Sequence, residues 1–489
     1  MEKGNFNQPD RSKSPVRFNK NSQITLCKTS FYLKADKRIK IKKKYFNLNT
    51  KISILNTKMT NTELLYERRK KSIPNALGIY NPSSIQSAKG AIITDADGRE
   101  LIDFAGGIGV NNAGHGVPEI IQAIQQQAEK FIHASFNVSV YEQYMDLTEK
   151  LVELLPHGES TKAMLTNSGA ESVENAIKIA RNVTGRSAII CFDGAFHGRT
   201  LMAATLTSNV KYKAGCGPYA PEVYRIEYPY YKPSMSNRMT SDEFDELMIM
   251  KLHKTFSSVV SANQTAAIII ELLQGEGGFT VASKPYIQYL RKFCTENGIM
   301  LIFDEVQSGF GRTGKWAAYE HYNVLPDLST WAKSMGGGMP IGAVIGKTEI
   351  MDAVQAGVIG GTYLGNPLCC VASLASINYM ESQNINEKGA KVGEKVRSKM
   401  EELHNQFPQN ITDIRGLGAM LAMEFMKNGL PDGEICKKIQ QNSLDNGLIV
   451  ITAGTYGNCI RVLSPLIIED KVLEKGLTIL ENAVKNAIR

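Results

Sequence analysis

The sequence predicts an α/β fold, with a mostly parallel central sheet in a large domain and a smaller α+β domain. Between residues 162 and 350, short apolar runs of strand length alternate with stretches of helical spacing. That alternation is typical of a parallel sheet covered by helices on both faces. Residues 410–489 mix the two patterns, which predicts the smaller domain. The strand-length runs are Ala163–Leu165, Ala188–Cys191, Ala267–Ile270, Ile299–Phe303 and Ala343–Ile345.

Residues 1–58 differ in composition from the rest of the chain. They hold fifteen Lys/Arg and three Asp/Glu, a net charge of +12, so the total of +8 leaves −4 for residues 59–489. A basic segment without periodicity predicts disorder or a segment outside the fold. It fits an organelle transit peptide, a nucleic-acid-binding arm or an extension upstream of a true start at Met59. We favour the extension, because Thr60–Glu63 has the pattern of a helix capping box.

Composition narrows the class of protein. The hydrophobic content of 43% and the charged content of 21% are ordinary for a globular protein. No apolar run of about 18 residues and no secretory signal pattern occur, so we expect no membrane span and no secretion. The eight cysteines include no C-x-x-C pair, which predicts no metal site and a cytoplasmic setting. The mitochondrial matrix is the alternative if the basic segment is a transit peptide. The acidic body predicts no nucleic-acid surface.

Local patterns outside the central sheet fit the same architecture. Residues 91–102 alternate in polarity around Asp97-Gly98, which predicts a β-hairpin. A Gly-rich loop over residues 103–110 follows it. Helical spacing recurs over residues 117–131, 141–155, 366–382 and 388–406.

These elements predict a division of the chain into four parts. Residues 1–58 form the basic extension, and residues 59–115 form an N-terminal segment that joins the small domain. Residues 116–365 form the large domain. Residues 366–489 form the C-terminal small domain. We find no internal repeat in the sequence.

A carboxylate and a lysine mark the candidate site. Asp304 directly follows the apolar run Ile299–Phe303, and Gln307 comes three residues later. Lys333 lies on the next connection, just before three glycines. A lysine amine can form a Schiff base, and a carboxylate can hold a cofactor's pyridinium nitrogen. Each residue alone also fits an ordinary solvated loop or turn.

Other strand ends carry further candidates. Ser168, Gly169 and Ala170 open a helix directly after a strand, where free amides and the helix dipole can bind phosphate, although the same pattern is that of a simple N-cap. After the next strand, Phe196 offers a ring for stacking and Arg199 a fork for a carboxylate.

A glutamate and an arginine that lie far apart in the chain complete the set of candidates. Glu276 lies in the Gly-rich stretch Gln274–Gly278, which follows the apolar run that ends at Ile270. Arg461 is a lone charge in an apolar run and therefore needs a partner. A loop carboxylate by itself is ordinarily solvated, so Glu276 gains interest only if it is that partner.

Four of these segments together resemble the class III (ω-amino acid) aminotransferases, which use pyridoxal 5′-phosphate. Asn167–Glu171, Phe196–Arg199, Asp304–Gln307 and the segment around Lys333 match that family in order and spacing, and the resemblance covers roughly residues 65–485. It implies fold type I, the fold of a PLP-dependent transferase. Within the family, the chain is most similar to members that act on 4-aminobutyrate. Leu272 departs from the family, which usually has a proline after the preceding glutamate.

The resemblance implies how the cofactor is held. Lys333 would form a Schiff base with it and transfer the proton, and Asp304 would pair with its pyridinium nitrogen. Gln307 would bond the phenolic oxygen, and Phe196 and Val306 would cover the two ring faces. The other implied cofactor-binding residues are Ser168, Gly169 and Ala170 at the phosphate, His197, and Thr362, which would reach the phosphate across a homodimer interface.

The resemblance also implies the substrates. Arg199 would hold the distal carboxylate of the amino donor or of 2-oxoglutarate. Glu276 would mask Arg461 and release it for the α-carboxylate of glutamate, and Ile108 would shape the substrate tunnel. The implied reaction passes the amino group of 4-aminobutyrate, or a close ω-amino acid, to 2-oxoglutarate by a ping-pong route, giving succinate semialdehyde and L-glutamate. The small-molecule partners are thus an amino donor and a 2-oxo acid.

Several alternatives remain open from the sequence. β-Alanine, lysine, ornithine or acetylornithine could be the donor, whereas a semialdehyde aminomutase is disfavoured by the pairing of Glu276 with Arg461. A non-catalytic homologue is a further alternative, which the retention of Lys333 and Asp304 argues against. A nucleotide-binding α/β protein is disfavoured because no G-x-G-x-x-G follows a first strand.

Overall fold

The protein is described by a computed structural model that covers residues 59–489. The predictions made for residues 1–58 lie outside the described residues. Thr60–Arg489 forms one unit. In chain order, its strands are β1 (Ser87–Lys89), β2 (Ile92–Thr94), β3 (Glu100–Asp103), β4 (Thr161–Thr166), β5 (Ala188–Phe192), β6 (Val223–Ile226), β7 (Thr265–Ile270), β8 (Met300–Asp304), β9 (Leu328–Trp331), β10 (Gly342–Lys347), β11 (Ile411–Leu417), β12 (Met420–Lys427), β13 (Leu430–Pro431), β14 (Leu448–Ile449), β15 (Ile451–Ala453) and β16 (Cys459–Val462).

The helices predicted over residues 117–131, 141–155, 366–382 and 388–406 are present, with small shifts at their ends. Short 3₁₀ turns, such as Lys333–Gly336, join several elements. The α-helices are α1 (Asn61–Ser72), α2 (Pro118–Lys130), α3 (Glu142–Leu154), α4 (Gly169–Thr184), α5 (Leu201–Leu206), α6 (Ser241–Ser258), α7 (Lys284–Asn297), α8 (Thr348–Asp352), α9 (Pro367–Ser382), α10 (Ile385–Gln406), α11 (Gly433–Asp445) and α12 (Asp470–Ile488).

A seven-stranded sheet organises the molecule, in the order β4-β10-β9-β8-β7-β5-β6. The pairs from β9 to β6 are parallel, and β10 runs antiparallel to both of its neighbours. This confirms the predicted mostly parallel sheet. The reversal of β10 has a simple cause, because the connection after Trp331 is too short for the crossover of about a dozen residues that a parallel strand needs.

Two strands of this sheet were not predicted. β6 lies at the sheet edge and is only half-buried, so its sequence lacks an apolar run. β9 is fully buried but contains Ser329 and Thr330. Ser329 Oγ accepts a hydrogen bond from Trp331 Nε1 at 2.6 Å and lies 2.7 Å from His157 Nε2. Such partners let a polar residue occupy a sheet interior, which hides the strand from a hydrophobicity pattern.

The core packs against both faces of the large sheet. β7 and β8 are buried along their whole length, as their apolar runs predict. On α4, the predicted apolar face is buried, with Val173, Ala176 and Ala180 at 0% exposure. Burial of such side chains is worth about 1.5–3 kcal/mol each for the larger ones, and it fixes the start of α4 against the sheet.

Two smaller sheets complete the body. One has the order β11-β12-β16-β15, with β13 paired to β12. The other has the order β1-β2-β3-β14, in which β14 pairs parallel to β3, so strands from both ends of the body share one sheet. This pairing agrees with the predicted joining of the N-terminal segment to the small domain. The domain boundaries themselves stay a prediction.

Details near the N-terminus of the body also follow the sequence. The hairpin of β2 and β3 pairs Thr94 with Glu100 around Asp97-Gly98, as predicted. At the start of α1, the Glu63 amide donates to Thr60 Oγ1 at 3.1 Å and the Thr60 amide donates to Glu63 Oε2 at 2.8 Å, which forms the predicted capping box.

The Gly-rich segment differs from the loop expected over residues 103–110. Gly106–Gly109 forms a single helical turn in which Gly107 and Ile108 adopt left-handed φ angles of 62° and 65°. A side chain at Gly106 would collide with the carbonyl group of Leu463. The glycines are therefore needed for close packing against the strand end after β16, and the segment is tightly packed.

None of the helices between residues 59 and 489 combines the length and the apolar character that a membrane crossing requires.

Candidate active site

The carboxyl ends of the parallel strands open into one cavity of about 570 Å³. Ligands in such sheets bind outside these strand ends, where the predicted motifs lie. Eleven of the fourteen predicted site residues line the cavity, namely Ser168, Gly169, Ala170, Phe196, His197, Arg199, Glu276, Asp304, Val306, Gln307 and Lys333.

Three predicted residues do not line it. Ile108 is partly buried beside the cavity, and Val110 forms the wall at that point. Thr362 is exposed and lies outside the cavity of its own chain. Arg461 is fully buried behind Glu276.

Asp304 and His197 form a buried pair at the cavity floor. Asp304 ends β8, and its Oδ2 lies 2.7 Å from His197 Nδ1. Its Oδ1 accepts from the Val306 amide at 3.1 Å. The side chains of Asp304 and His197 are 4% and 0% exposed, so both carboxylate oxygens are held by fixed donors. The arrangement orients a buried negative charge toward the cavity.

Lys333 begins the turn that follows β9. Its φ angle is +51°, a left-handed conformation that is uncommon for residues other than glycine. Burial lowers the pKa of the Lys333 ammonium from 10.5 to about 8, with Arg461 adding to this decrease, while the Glu276 and Asp304 carboxylates oppose it. Near neutral pH a minor fraction of the amine is therefore uncharged, and this fraction grows as the pH approaches 8.

The start of α4 offers free backbone donors to the cavity. Ser168 caps the helix, and its Oγ accepts from the Glu171 amide at 3.2 Å. Within residues 59–489, the Gly169 and Ala170 amides have no hydrogen-bond partner. A Cβ atom at Gly169 would lie 2.9 Å from Val306 Cγ1, so only glycine lets the helix start approach Val306 this closely. Free amides and the helix dipole together favour an anion here.

Glu276 and Arg461 form a buried ion pair, as their positions in the sequence suggested. Arg461 Nη2 lies 2.8 Å from Glu276 Oε1, although the angle is not that of a well-directed hydrogen bond. Tyr212 donates its hydroxyl to Glu276 Oε2 at 2.8 Å. Burial raises the pKa of the Glu276 carboxyl, but Arg461 and the Tyr212 hydrogen bond together outweigh it and lower that pKa. Glu276 is therefore a carboxylate near neutral pH.

Three donors from the C-terminal part of the chain hold the backbone that carries Glu276. Arg461 Nη1 donates to the Gly275 carbonyl at 3.3 Å, and the Gly454 amide donates to the Glu276 carbonyl at 2.9 Å. Arg415 Nε donates to the Gly278 carbonyl at 2.6 Å. These three hydrogen bonds hold the backbone of the Glu276 segment in place.

Arg199 lies exposed at the cavity mouth. Its guanidinium carbon is 4.7 Å from the centre of the Tyr212 ring. Among the residues that the structure describes, Arg199 has no carboxylate within ion-pair distance. A guanidinium stacked on a ring and free of a counter-charge is suited to bind an incoming carboxylate.

Two further residues of the site were not predicted. Glu271 follows β7, and its carboxylate accepts from the Phe196 amide at 2.8 Å and the Gly275 amide at 3.0 Å. Burial raises the pKa of Glu271 to about 7. Its position at a strand end, like that of Asp304, was a usable signal. Tyr212 lies in a 3₁₀ turn without periodicity, and the sequence predicted no role for it.

The described residues show no metal centre. Between residues 59 and 489, no group of three or more His, Cys, Asp or Glu side chains is arranged to hold a metal ion.

A type I fold with a lysine, a strand-end carboxylate and an anion-binding helix start around one cavity defines a pyridoxal-phosphate-dependent enzyme. More particularly, the chain belongs to the class III aminotransferases, because the family model described as "Aminotransferase class-III" matches residues 79–484. Enzymes of this family use pyridoxal 5′-phosphate. The predicted family, fold class and cofactor are confirmed.

Individual relatives agree with this assignment. The chain is 42% identical to a "Probable 4-aminobutyrate aminotransferase" of Bacillus subtilis, over 86% of this chain and 97% of that protein. It is 42% identical to the 5-aminovalerate aminotransferase DavT of Pseudomonas putida, with the same coverage. Among solved structures, a thermostable (S)-enantioselective omega-transaminase from Thermomicrobium roseum matches with a TM-score of 0.81 and 26% identity, over 88% of this chain and 100% of that one.

The residues present fit the cofactor of this family. The free Gly169 and Ala170 amides suit its phosphate, and the buried Asp304 carboxylate suits a positively charged ring nitrogen. Gln307 Oε1 and His197 Nε2 are buried and have no partner in the described chain. Such unpaired polar atoms are costly unless a bound group or water satisfies them.

Proposed function

We propose that this aminotransferase transfers the amino group of 4-aminobutyrate to 2-oxoglutarate. The observation that carries the proposal is the pairing of one free and one masked arginine at the same cavity. Arg199 is unpaired at the mouth, and Arg461 is neutralised by Glu276 at 2.8 Å. A donor with a single distal carboxylate needs only Arg199. A substrate with two carboxylates needs both arginines.

The chain's residues would hold the cofactor on all sides. Pyridoxal phosphate, when bound, supplies an electron sink that stabilises negative charge on the amino-bearing carbon. Asp304 would keep the ring nitrogen protonated, with His197 fixing the carboxylate. Ser168, Gly169 and Ala170 would bind the phosphate, Gln307 would bond the phenolic oxygen, and Phe196 and Val306 would cover the ring.

Lys333 is the base of the proposed reaction. Its amine, with a pKa of about 8, exists partly uncharged at neutral pH and can take a proton from the amino-bearing carbon of the substrate. A base acts best when its pKa lies near the working pH. Burial of the amine is thus the physical reason that Lys333 suits this role, and its position on the turn after β9 keeps it inside the cavity.

Glu276 would adapt the site to the two substrates in turn. With 4-aminobutyrate bound, the carboxylate stays on Arg461 and prevents an unpaired buried charge. With 2-oxoglutarate or glutamate bound, it rotates away, and Arg461 holds the α-carboxylate while Arg199 holds the distal one. Ile108, two residues before the cavity-wall residue Val110, would limit the room beside the substrate chain.

5-Aminovalerate is a second candidate donor. The relative DavT is named for that substrate and is as similar to this chain as the Bacillus relative, at 42% identity. The two donors differ by one methylene group, which a pocket distinguishes by only about 1–3 kcal/mol. Acceptance of both donors by one cavity is therefore compatible with the proposed chemistry.

A half-reaction panel of amino donors tests the proposal. The cofactor-loaded enzyme is mixed with 4-aminobutyrate, 5-aminovalerate, β-alanine, lysine, ornithine and acetylornithine, and conversion of the cofactor is followed by absorbance. We expect the largest kcat/KM for 4-aminobutyrate, with 5-aminovalerate next. A preference for ornithine or acetylornithine as the donor would contradict the proposal. Absence of reaction with every donor would support the alternative of a non-catalytic homologue.

We also propose a homodimer that acts in the cytoplasm. The exposed Thr362 lies beside the exposed Tyr363, and Val138 and Val140 are 80% and 79% exposed, which supports an apolar face for a second copy. Thr362 of each copy would reach the phosphate in the other cavity.

Sedimentation should give twice the chain mass. Loss of activity in Thr362→Ala, restored by mixing with Lys333→Ala chains, would support shared sites.

A further inference from the structure

Tyr212 contacts Arg199, which the proposed function assigns to the distal carboxylate, and Glu276, which it assigns to masking Arg461. Its hydroxyl donates to Glu276 Oε2 at 2.8 Å. Its ring lies under the Arg199 guanidinium at 4.7 Å and meets the Phe196 ring edge-on at 5.1 Å. Lys211 Nζ also lies 4.7 Å from the ring centre. The proposed reaction gives Tyr212 no role, although it contacts both Arg199 and the Glu276 carboxylate that pairs with Arg461.

The hydroxyl of Tyr212 remains a donor under all working conditions. Burial, and then the negative charge of Glu276, raise the pKa of this phenol well above its usual range. The Tyr80 hydroxyl lies 3.3 Å away and can satisfy the remaining lone pair. A neutral donor with a fixed second partner keeps one orientation, so the hydrogen bond favours the position in which Glu276 faces Arg461.

We propose that Tyr212 is a positioning residue that sets the preference between substrates with one carboxylate and substrates with two. Its hydroxyl holds Glu276 on Arg461, and its ring supports Arg199 toward the distal carboxylate. The inference rests on the proposed function, because it takes Arg199 and Arg461 as the carboxylate sites. It adds a residue that sets the relative affinity of the site for the substrates of the two half-reactions.

The preference between ligands with one carboxylate and ligands with two follows from what each ligand must displace. A ligand with two carboxylates must move Glu276 off Arg461 and so break the hydrogen bond from Tyr212. A ligand with one carboxylate leaves that bond intact. Hydrogen bonds to charged groups typically change an equilibrium by about tenfold or more. Removal of the hydroxyl should therefore strengthen binding of dicarboxylates by about tenfold and leave monocarboxylates unaffected.

Binding of two non-reacting ligands measures this balance directly. Glutarate carries two carboxylates and butyrate one, and neither has an amino or oxo group. Calorimetry on the cofactor-loaded enzyme should show that Tyr212→Phe lowers the Kd of glutarate about tenfold without changing that of butyrate. Glu276→Ala should give a comparable gain. The double variant should bind glutarate no more tightly than Glu276→Ala alone, because both changes remove the same barrier.

The Michaelis constants should show the same difference between substrates with two carboxylates and substrates with one. In Tyr212→Phe, KM for 2-oxoglutarate should fall while KM for 4-aminobutyrate stays near that of the parent. Tyr212→Leu also removes the ring under Arg199, so both glutarate and butyrate should bind more weakly than to Tyr212→Phe. A purely structural role would weaken all ligands together in both variants.

Tyr224→Phe is a matched control. It removes a similar tyrosine–glutamate hydrogen bond, 2.9 Å from the Tyr224 hydroxyl to Glu222 Oε2, on β6 and away from the cavity. Neither ligand should change its affinity. If the parent binds both ligands and Tyr212→Phe leaves or weakens glutarate binding, the inference alone is overturned. If the parent binds neither ligand, the proposed function fails and the inference with it.

Discussion

Lys333 occupies a position that costs free energy in two ways. Its left-handed φ angle of +51° is strained for a side chain with a Cβ atom. Burial places its ammonium group in surroundings that lower its pKa to about 8. Both features are typical of functional residues rather than of structural ones. The cost is tolerated because the buried strand β9 and the hydrogen bond from Ser334 Oγ to the Gly109 carbonyl, at 2.8 Å, hold the backbone in place.

The pKa of Lys333 predicts how the stability of the cofactor-free protein depends on pH. Between about pH 8 and pH 10.5 the unfolded chain binds this proton and the folded chain does not, so stability rises with pH in that window. At pH 7 the folded protein carries the unfavourable charge. Lys333→Met should therefore be more stable at pH 7, by on the order of 1–2 kcal/mol given the partial exposure of Lys333.

Denaturant unfolding at pH 7 and pH 9.5 checks this prediction. The stability difference between Lys333→Met and the parent should shrink as pH rises above 8. Lys254→Met, at an exposed lysine of α6, is the control, and its difference from the parent should not depend on pH. A difference that is constant for Lys333→Met would show that its ammonium is not destabilised in the folded protein.

Arg199 should determine the affinity of the enzyme for the amino donor. Arg199→Ala removes the free guanidinium at the cavity mouth, so KM for 4-aminobutyrate should rise about tenfold to a hundredfold, whereas kcat should fall less. Steady-state kinetics measure both constants. Arg238→Ala removes an exposed arginine outside the cavity and should leave them unchanged. An unaltered KM in Arg199→Ala would place the distal carboxylate elsewhere.

At the scale of elements, the site depends on how closely α4 approaches the strand end that carries Val306. The helix starts at Gly169, where an added Cβ would lie 2.9 Å and 3.0 Å from the two Val306 methyl groups. This approach brings the free amides of α4 to the same cavity as Asp304. The free amides at the start of α4 and the Asp304 carboxylate are thus coupled through the contact between Gly169 and Val306.

Gly169→Ala should therefore weaken cofactor binding. Overpacking of this kind typically costs about 1–3 kcal/mol, which corresponds to a Kd for pyridoxal phosphate raised by about fivefold to a hundredfold. Titration of the cofactor-free protein by fluorescence measures it. Val306→Ala in the same chain should restore part of the affinity, because it removes the colliding methyl groups.

Gly78→Ala is the control for this prediction. A Cβ at Gly78 would meet nothing within 4 Å, so its cofactor affinity should equal that of the parent. An unchanged affinity in Gly169→Ala would mean that α4 can shift away from Val306 without loss of the phosphate contacts.

Strands that consist of a continuous apolar run could be predicted from the sequence. Buried strands that contain hydrogen-bonded polar residues could not. β7 and β8 were predicted because every residue is buried, whereas β9 was not, since Ser329 and Thr330 interrupt its hydrophobicity. The direction of β10 depends on a connection length that the pattern of runs does not convey. Among site residues, Asp304 was found by its strand-end position and Lys333 by its place on the following connection, just before three glycines. Tyr212 was missed because its contacts with Glu276 and Arg199 are purely tertiary.

At the scale of the whole molecule, the site draws on distant parts of the body. Ser168 and Arg461 lie far apart in the sequence, and Arg415 supports the backbone of Gly278 from β11. β14 pairs with β3, which ties the C-terminal segment to the N-terminal one. A site assembled in this way requires the complete unit Thr60–Arg489.

Removal of residues 1–58 should leave this unit functional. All described site residues belong to Thr60–Arg489, and the capping box at Thr60 gives α1 its own start. A chain beginning at Met59 should bind pyridoxal phosphate with unchanged Kd and keep kcat/KM within about twofold, since the described contacts of the site all lie within Thr60–Arg489. Calorimetry and kinetics on both chains check this, and loss of cofactor binding on truncation would contradict it.

We propose that one cavity around Lys333 takes an amino group from an ω-amino acid and passes it to a 2-oxo acid. A single-turnover measurement of product tests it most directly. With 4-aminobutyrate alone, the cofactor-loaded enzyme should form one equivalent of succinate semialdehyde per chain, and later addition of 2-oxoglutarate should release one equivalent of L-glutamate. Lys333→Ala should form neither product. Absence of both products from the parent, or equal yields from Lys333→Ala, would contradict the account.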